Sequence, residues 1–282
     1  MRGLNKRPED KSAALLSESK LQDLGFVDYF DNLPQEIQND IRCKVRYFIP
    51  WRIVFNENSV STPCRLVFDA SASPQGQCSL NSLLCKGRNN LNNLVMIMIR
   101  WVCCPFAFHT DISKMYNTIY LDRKHWRYQL YFWEGELKVG IAPRIKVIKT
   151  NIYGIRSSGN LAEYALRKTA ELTKVEYPLA YDVIINDIYV DDCLSGSNTE
   201  DERSETVDQF SLAVAKGGFK LKGFTFSGLH PPENMANEDG ISVTVGGSIW
   251  YPKDDDVCLK ISDNRKKRSK KSNSDSLFVV IA

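Results

Sequence analysis

Three aspartates stand where an ordinary fold would avoid a charge. Ile188-Tyr189-Val190-Asp191-Asp192-Cys193-Leu194 is a short apolar run interrupted by two adjacent carboxylates. Phe108-His109-Thr110-Asp111-Ile112-Ser113-Lys114-Met115-Tyr116 is a second run, in which an apolar strand leads into an aspartate. A carboxylate in such surroundings is costly unless it is paired or bound to a cation. A hairpin tip would solve the geometry of Asp191 and Asp192, and a divalent cation would solve their charge. Eighty residues separate Asp111 from Asp191, so only the fold can bring them together. Three carboxylates on adjacent strands would hold two metal ions about 4 Å apart, an arrangement suited to in-line phosphoryl transfer. Magnesium fits an all-oxygen site of this kind, with manganese as a substitute. Taken singly, each feature also has a plainer reading: an exposed Asp-Asp turn, and a strand-end cap at Asp111.

The elements that must position these residues are legible as patterns. Residues 1–33 are polar and helix-prone without a sustained apolar face. Pro34 opens a helical pattern in which Ile37, Ile41 and Val45 recur at spacing four. Tyr47 to Phe55 and Arg65 to Phe68 read as two strands of a hairpin, with turn chemistry at Asn56 to Ser59. Leu91 to Val102 reads as a buried helix, Pro105 to Thr110 as the strand leading into Asp111, and Trp126 to Trp133 as another strand. Ser158 to Lys174 is helical in spacing. Asp201 to Lys216 is a helix stopped by Gly217-Gly218. Phe219 to Phe226 and Ser248 to Tyr251 are strands. No βαβ rhythm is evident, which favours an α+β fold with an antiparallel sheet.

Composition bounds the partners. The 282 residues are 43% hydrophobic and 25% charged, ordinary globular values that predict a packed core. The net charge is +3, but residues 263–282 hold six basic and two acidic side chains, so residues 1–262 carry −1. Any polyanion must therefore be met by a local groove rather than by bulk charge. The basic run Arg265 to Lys271 reads as a solvated tail, a nuclear signal or a nucleic-acid contact. Eight cysteines without a CxxC pair, and three histidines, exclude zinc-module spacing. No signal peptide or membrane-length apolar run is present, so the expectation is an intracellular protein, cytoplasmic or nuclear, with no membrane partner.

Tyr189-Val190-Asp191-Asp192 resembles the signature of reverse transcriptases, and Asp111 followed by Tyr116 resembles their first palm motif. Arg65-Leu66-Val67-Phe68-Asp69-Ala70-Ser71, then Ser79-Leu80-Asn81, resembles the fingers segment. Tyr153-Gly154-Ile155-Arg156-Ser157-Ser158-Gly159-Asn160 resembles the loop entering the palm helix. Gly223 to Gly228 and Trp250-Tyr251-Pro252-Lys253-Asp254 are similar to the BEL/Pao class of long-terminal-repeat retrotransposons. The resemblance spans roughly residues 45–262, and its specificity lies in the order of the motifs.

It implies a right-hand polymerase core with an antiparallel palm sheet backed by helices. Residues 1–45 would be an entry segment, 46–105 with part of 123–150 the fingers, 106–252 the palm, and 253–282 a basic tail. The catalytic metal ligands would be Asp111, Asp191 and Asp192. Arg65, Asp69, Tyr116, Tyr153 and Gly154 would meet the incoming deoxynucleoside triphosphate, with Tyr116 as a steric gate against the 2′-hydroxyl. Either Lys220 or Lys222 would be a general acid toward pyrophosphate, and Trp250 would sit in the primer grip. A solvated strand lysine and a packed core tryptophan are the plainer readings of these last positions. The partners would be an RNA or DNA template, a primer and deoxynucleotides.

The chain departs from the family in two respects. No lysine lies between Asn56 and Cys64. No thumb, RNase H, integrase or protease segment is recognisable, so the chain reads as a fragment with weak or no processive activity alone. Leu277 to Ala282 fits no family pattern. A two-metal nuclease or nucleotide cyclase, and a non-enzymatic nucleic-acid-binding remnant, are the competing readings.

Overall fold

The structure is a computed structural model. It describes residues 27–44, 47–55, 64–73, 78–133, 144–237, 239–261 and 277–281. The expected turn at Asn56 to Ser59 and the basic run Arg265 to Lys271 lie outside the described residues. The chain is mixed α and β with antiparallel sheets. It divides into two compact units, one of residues 1–54, 65–86 and 116–158, the other of 55–64, 87–115 and 159–282.

The first unit begins, among the described residues, with a short strand ahead of the expected helix. Strand β1 (Val27–Tyr29) pairs antiparallel with β6 (Arg144–Ile148), which pairs antiparallel with β5 (Leu130–Trp133). Phe30 and Leu33, which follow β1, are buried with Ile41 of α1 (Gln35–Lys44) against Leu130 and Val147. Strands β2 (Trp51–Phe55) and β3 (Cys64–Phe68) form a two-stranded ribbon. The ladder begins at Trp51 rather than Tyr47 because Pro50 lacks an N–H. The expected strand at Trp126 to Trp133 is also shorter. Arg123–Tyr128 is a 3-10 helix whose N-cap, Asp122, accepts from the Lys124 amide. Aromatic packing closes this unit: Trp51 stacks on Trp133 at 5.0 Å, and Tyr131 is fully buried between Trp51 and Phe68.

The second unit holds the three aspartates. Helix α2 (Leu80–Leu83), in the first unit, precedes it in the chain. Its central strand is β4 (Phe106–Ser113), followed by α4 (Ser158–Thr173), α5 (Pro178–Asn186), the hairpin β7 (Ile188–Tyr189) and β8 (Asp192–Ser197), α6 (Glu200–Lys216) and β9 (Lys220–Phe226). The sheet order is β7-β8-β4-β9, every neighbour antiparallel. The antiparallel pairing is that expected from the lack of a regular βαβ rhythm. Each crossover skips one strand, which is the split βαβ arrangement, and neighbouring strands are therefore antiparallel. One face of the sheet carries Phe106 and Phe108 and packs on α6, where the Arg203 guanidinium lies 5.5 Å from the Phe106 ring and 4.8 Å from the Phe226 ring.

The opposite face carries Ala107, His109 and Asp111 of β4. Helix α3 (Leu94–Val102) covers its Ala107 end, burying Ile97 and Trp101. The expected buried helix over 91–102 is buried along one face only. Val95, Met96, Ile99 and Val102 are at least half exposed. A second antiparallel sheet, β10 (Val243–Val245), β11 (Ser248–Tyr251), β12 (Asp256–Ile261) and β13 (Leu277–Ile281), supplies Trp250 to the same cluster. The segment at Leu277 that matched no motif is thus the fourth strand of this sheet. Among the described residues no helix is long and apolar enough to cross a membrane.

Strand β8 approaches β4 closely at Gly196. A Cβ there would stand 2.6 Å from Cys104 Cβ and 2.9 Å from the Phe106 carbonyl oxygen. Gly196→Ala is therefore expected to cost about 1–3 kcal/mol, the usual penalty of overpacking, read as a lower urea midpoint with unchanged slope. An unchanged midpoint would contradict this packing.

Candidate active site

Antiparallel pairing of β4 with β8 sets Asp111 opposite Asp192. Asp191 occupies the β7–β8 turn, and its carbonyl oxygen accepts from the Ile112 amide at 2.8 Å. The ladder and the adjoining turn thus gather three carboxylates from segments 80 residues apart. The turn has only two residues outside the ladder, Val190 and Asp191. Val190 adopts φ 59°, the left-handed region that a two-residue hairpin favours at its first central position but that a β-branched side chain resists. Strain at the turn positions Asp191 beside the sheet.

The electrostatics of the trio are unfavourable by themselves. Burial, and then the charges of Asp111 and Asp192, push the Asp191 carboxyl above the usual carboxylate range. The Lys222 ammonium works against this shift. Lys222 Nζ lies 2.9 Å from Asp111 Oδ2, and His109 Nε2 lies 3.3 Å from Asp192 Oδ1. The Lys222 contact depends on a β-bulge. Thr110 pairs with Phe224 and Ile112 with Leu221, so Lys222 and Gly223 together face the single residue Asp111. Such a bulge re-aims side chains, and here it turns Lys222 toward Asp111. Lys220 instead pairs with Ser113 further along the strand and is exposed. Of the two lysines considered, Lys222 is the one at the carboxylates.

The hairpin is held by polar clamps that were not singled out in the sequence. Asn92 Nδ2 donates to the carbonyls of Ile185 and Ile188, both at 3.0 Å. The Arg167 guanidinium of α4 donates to Asn92 Oδ1 and to the Asn90 carbonyl. Arg100 and Ser195 both donate to the Asp187 carboxylate, at 3.1 Å and 2.8 Å. His109 had a signal in the sequence: two residues before Asp111 on a strand, it must share that face. The clamps had none, since asparagines and arginines far apart in sequence carry no periodicity.

The residues assigned to nucleotide contact lie in the first unit. Asp69 Oδ1 accepts from the amides of Ser71 and Ala72, closing a turn. Gly154 has φ 94°, and a Cβ there would collide with the Phe68 carbonyl oxygen. Its glycine character is thus explained by close approach to β3. Asn81 joins the two segments, donating to Ser71 Oγ and the Gly154 carbonyl and accepting from the Arg156 amide. The Tyr116 and Tyr153 rings stand 4.1 Å apart. Arg65 lies on β3, and its side chain is outside the described set. Trp250 is fully buried, 4.8 Å edge-to-face from Trp101, with Nε1 donating to Asp255 Oδ1 at 2.9 Å. It supports its hairpin from within the core, as the packed-tryptophan reading of this position has it.

No family model matches this chain, and no curated protein matches it.

The donor set suits hard divalent cations: three carboxylates, clustered and repelling one another. Among the described residues, no group of three His, Cys, Asp or Glu side chains is already converged as a ligand set. Asp111 and Asp192 are turned to Lys222 and His109 respectively, and Asp191 stands at the strained turn.

Two measurements test this geometry. At a left-handed position glycine loses its usual disadvantage. Val190→Ala is expected to fold less stably than Val190→Gly, by about 1 kcal/mol, and the ordinary Ala-over-Gly order in urea melts would remove the strain. For Asp191, the folded state holds the proton more tightly than the unfolded chain, so stability falls as pH rises through its raised pKa. In chelator, Asp191→Asn should be more stable than the parent at neutral pH, with the gain fading below the ordinary carboxylate pKa. A loss of stability at neutral pH would contradict the crowding.

Proposed function

We propose that this chain is the fingers-and-palm core of an RNA-directed DNA polymerase of the BEL/Pao retroelement type. The observation that carries the reading is the pairing of Asp111 with Asp192, with Asp191 at the adjoining turn, on one face of an antiparallel sheet packed on a helix. The ordered sequence motifs supply the family, and the sheet supplies a physical reason for their spacing. A fold of this kind serves many chemistries, so the weight rests on the carboxylates and on the order of the motifs around them.

In this reading Asp111, Asp191 and Asp192 hold two magnesium ions, which when bound activate the primer 3′-hydroxyl and neutralise charge on the phosphates. The protein's own residues do the positioning. The β4–β8 ladder fixes two carboxylates relative to each other, and the Asp191–Ile112 backbone bond fixes the turn that carries the third. Arg65 would contact the triphosphate through a bidentate fork. Tyr116, packed against Tyr153, would form the floor under the sugar and reject a 2′-hydroxyl. Template, primer and deoxynucleoside triphosphates are the partners.

Single-nucleotide extension of a primer on an RNA template, with magnesium, tests the proposal. The parent chain should extend, and Asp191→Asn and Asp111→Asn should fall by on the order of 10³-fold. Tyr116→Ala should raise ribonucleotide incorporation relative to deoxyribonucleotide. Extension that survives Asp191→Asn would end the reading.

A further inference from the structure

The bulge in β9 places one of its two extra-facing residues, Lys222, onto the carboxylate directly across from it. Bulges are retained where they aim a side chain. A regular ladder would pair Asp111 with a single residue and continue the alternation. The inserted residue breaks that alternation at this point on the β4–β9 edge. The Lys222 side chain is 41% exposed and Asp111 is 19% exposed, so the ammonium is partly hydrated while the carboxylate is mostly buried. An ion pair of that kind can be exchanged at low cost, because the lysine recovers water when it leaves.

We propose that Lys222 is a resident counter-cation, which occupies the charge position beside Asp111 in the metal-free chain and swings away when a divalent ion binds. This rests on the reading of Asp111, Asp191 and Asp192 as metal ligands and adds a role for a residue that is not itself a ligand. The trio cannot be left uncompensated. His109 engages Asp192 from within the sheet and is buried, so it cannot leave readily. Lys222 has a flexible four-carbon stem and an exposed position, so it is the partner that can move. Its competition lowers the affinity for the first ion and keeps the cluster folded before that ion arrives. Binding is then an exchange of one cation for another at Asp111, with no bond made or broken in the chain.

The test is manganese binding to the full chain without nucleotide or nucleic acid, followed by the electron paramagnetic resonance signal of free manganese. Lys222→Met should bind the first ion about fivefold more tightly than the parent, the return from giving up one partly exposed ion pair. Lys222→Arg, which keeps the charge, and Lys220→Met, on the same strand but away from Asp111, should stay within about twofold of the parent on the same scale. In chelator, Lys222→Met should melt at lower temperature than the parent, and manganese should raise its melting temperature by more. Equal or weaker binding by Lys222→Met, while Asp191→Asn still loses the ion, overturns the counter-cation role and leaves the metal site standing. Parent binding that is indifferent to Asp191→Asn overturns the metal site and the counter-cation role with it.

Discussion

Repulsion among three carboxylates at one end of a sheet is the constraint that organises the second unit. Asp111, Asp191 and Asp192 are brought together by strand register, and nothing in a β-ladder favours that placement. Their neighbours answer the charge directly. His109 reaches Asp192 along the same face, and a bulge spends one residue of β9 on bringing Lys222 to Asp111. The opposite face of the sheet packs on α6 through Phe106 and Phe226, so the carboxylates stand on one side only. A site that is expensive in this way needs a stiff surround, because relaxation would let the carboxylates separate.

That stiffness comes from polar clamps at the base of the hairpin rather than from the hairpin itself. β7 has two residues, too few to hold a strained Val190 in place through its ladder alone. Asn92 fastens the carbonyls on either side of the α5–β7 junction, Arg167 fastens Asn92, and Arg100 with Ser195 fastens Asp187. Burial pushes the Asp187 carboxyl upward, and the hydrogen bonds from Ser195 and Arg100 work against that shift. These contacts converge on the residues just before the turn. They explain how a left-handed valine is tolerated beside a carboxylate that already disfavours the folded state.

What was legible in the sequence follows from periodicity and what was not follows from register. The apolar runs at Phe108 and Ile188 placed Asp111 at a strand and Asp191 and Asp192 at a hairpin tip, and glycines 217 and 218 marked the end of α6, because these signals are local. Whether Asp111 would face Asp192 depended on a pairing 80 residues apart. The bulge at Lys222-Gly223 left no trace, since a one-residue insertion in an apolar-polar strand looks the same as the strand without it. Trp250 shows the converse. Its motif position pointed to a primer-grip hairpin or, equally, to a packed tryptophan, and a tryptophan between Trp101 and Asp255 has more to gain from burial with its N–H satisfied than from exposure. The stretch before Pro34 misled for a similar reason: three residues of strand, with Phe30 and Leu33 behind them, are too short to show a period.

The first unit carries a related lesson about conserving function within structure. Asp69 and Gly154 come from segments whose motif order points to a nucleotide, yet both have sufficient structural reasons of their own. The Asp69 carboxylate closes a turn, and Gly154 is a glycine because β3 leaves no room for a Cβ. Asn81, assigned no contact, ties the two segments together through three hydrogen bonds. Residues of a shared motif therefore divide into those that shape the loop and those that the loop presents. Asp69, Asn81 and Gly154 shape it. Tyr116 and Tyr153 pack their rings on each other instead, an aromatic contact that closes no turn of its own.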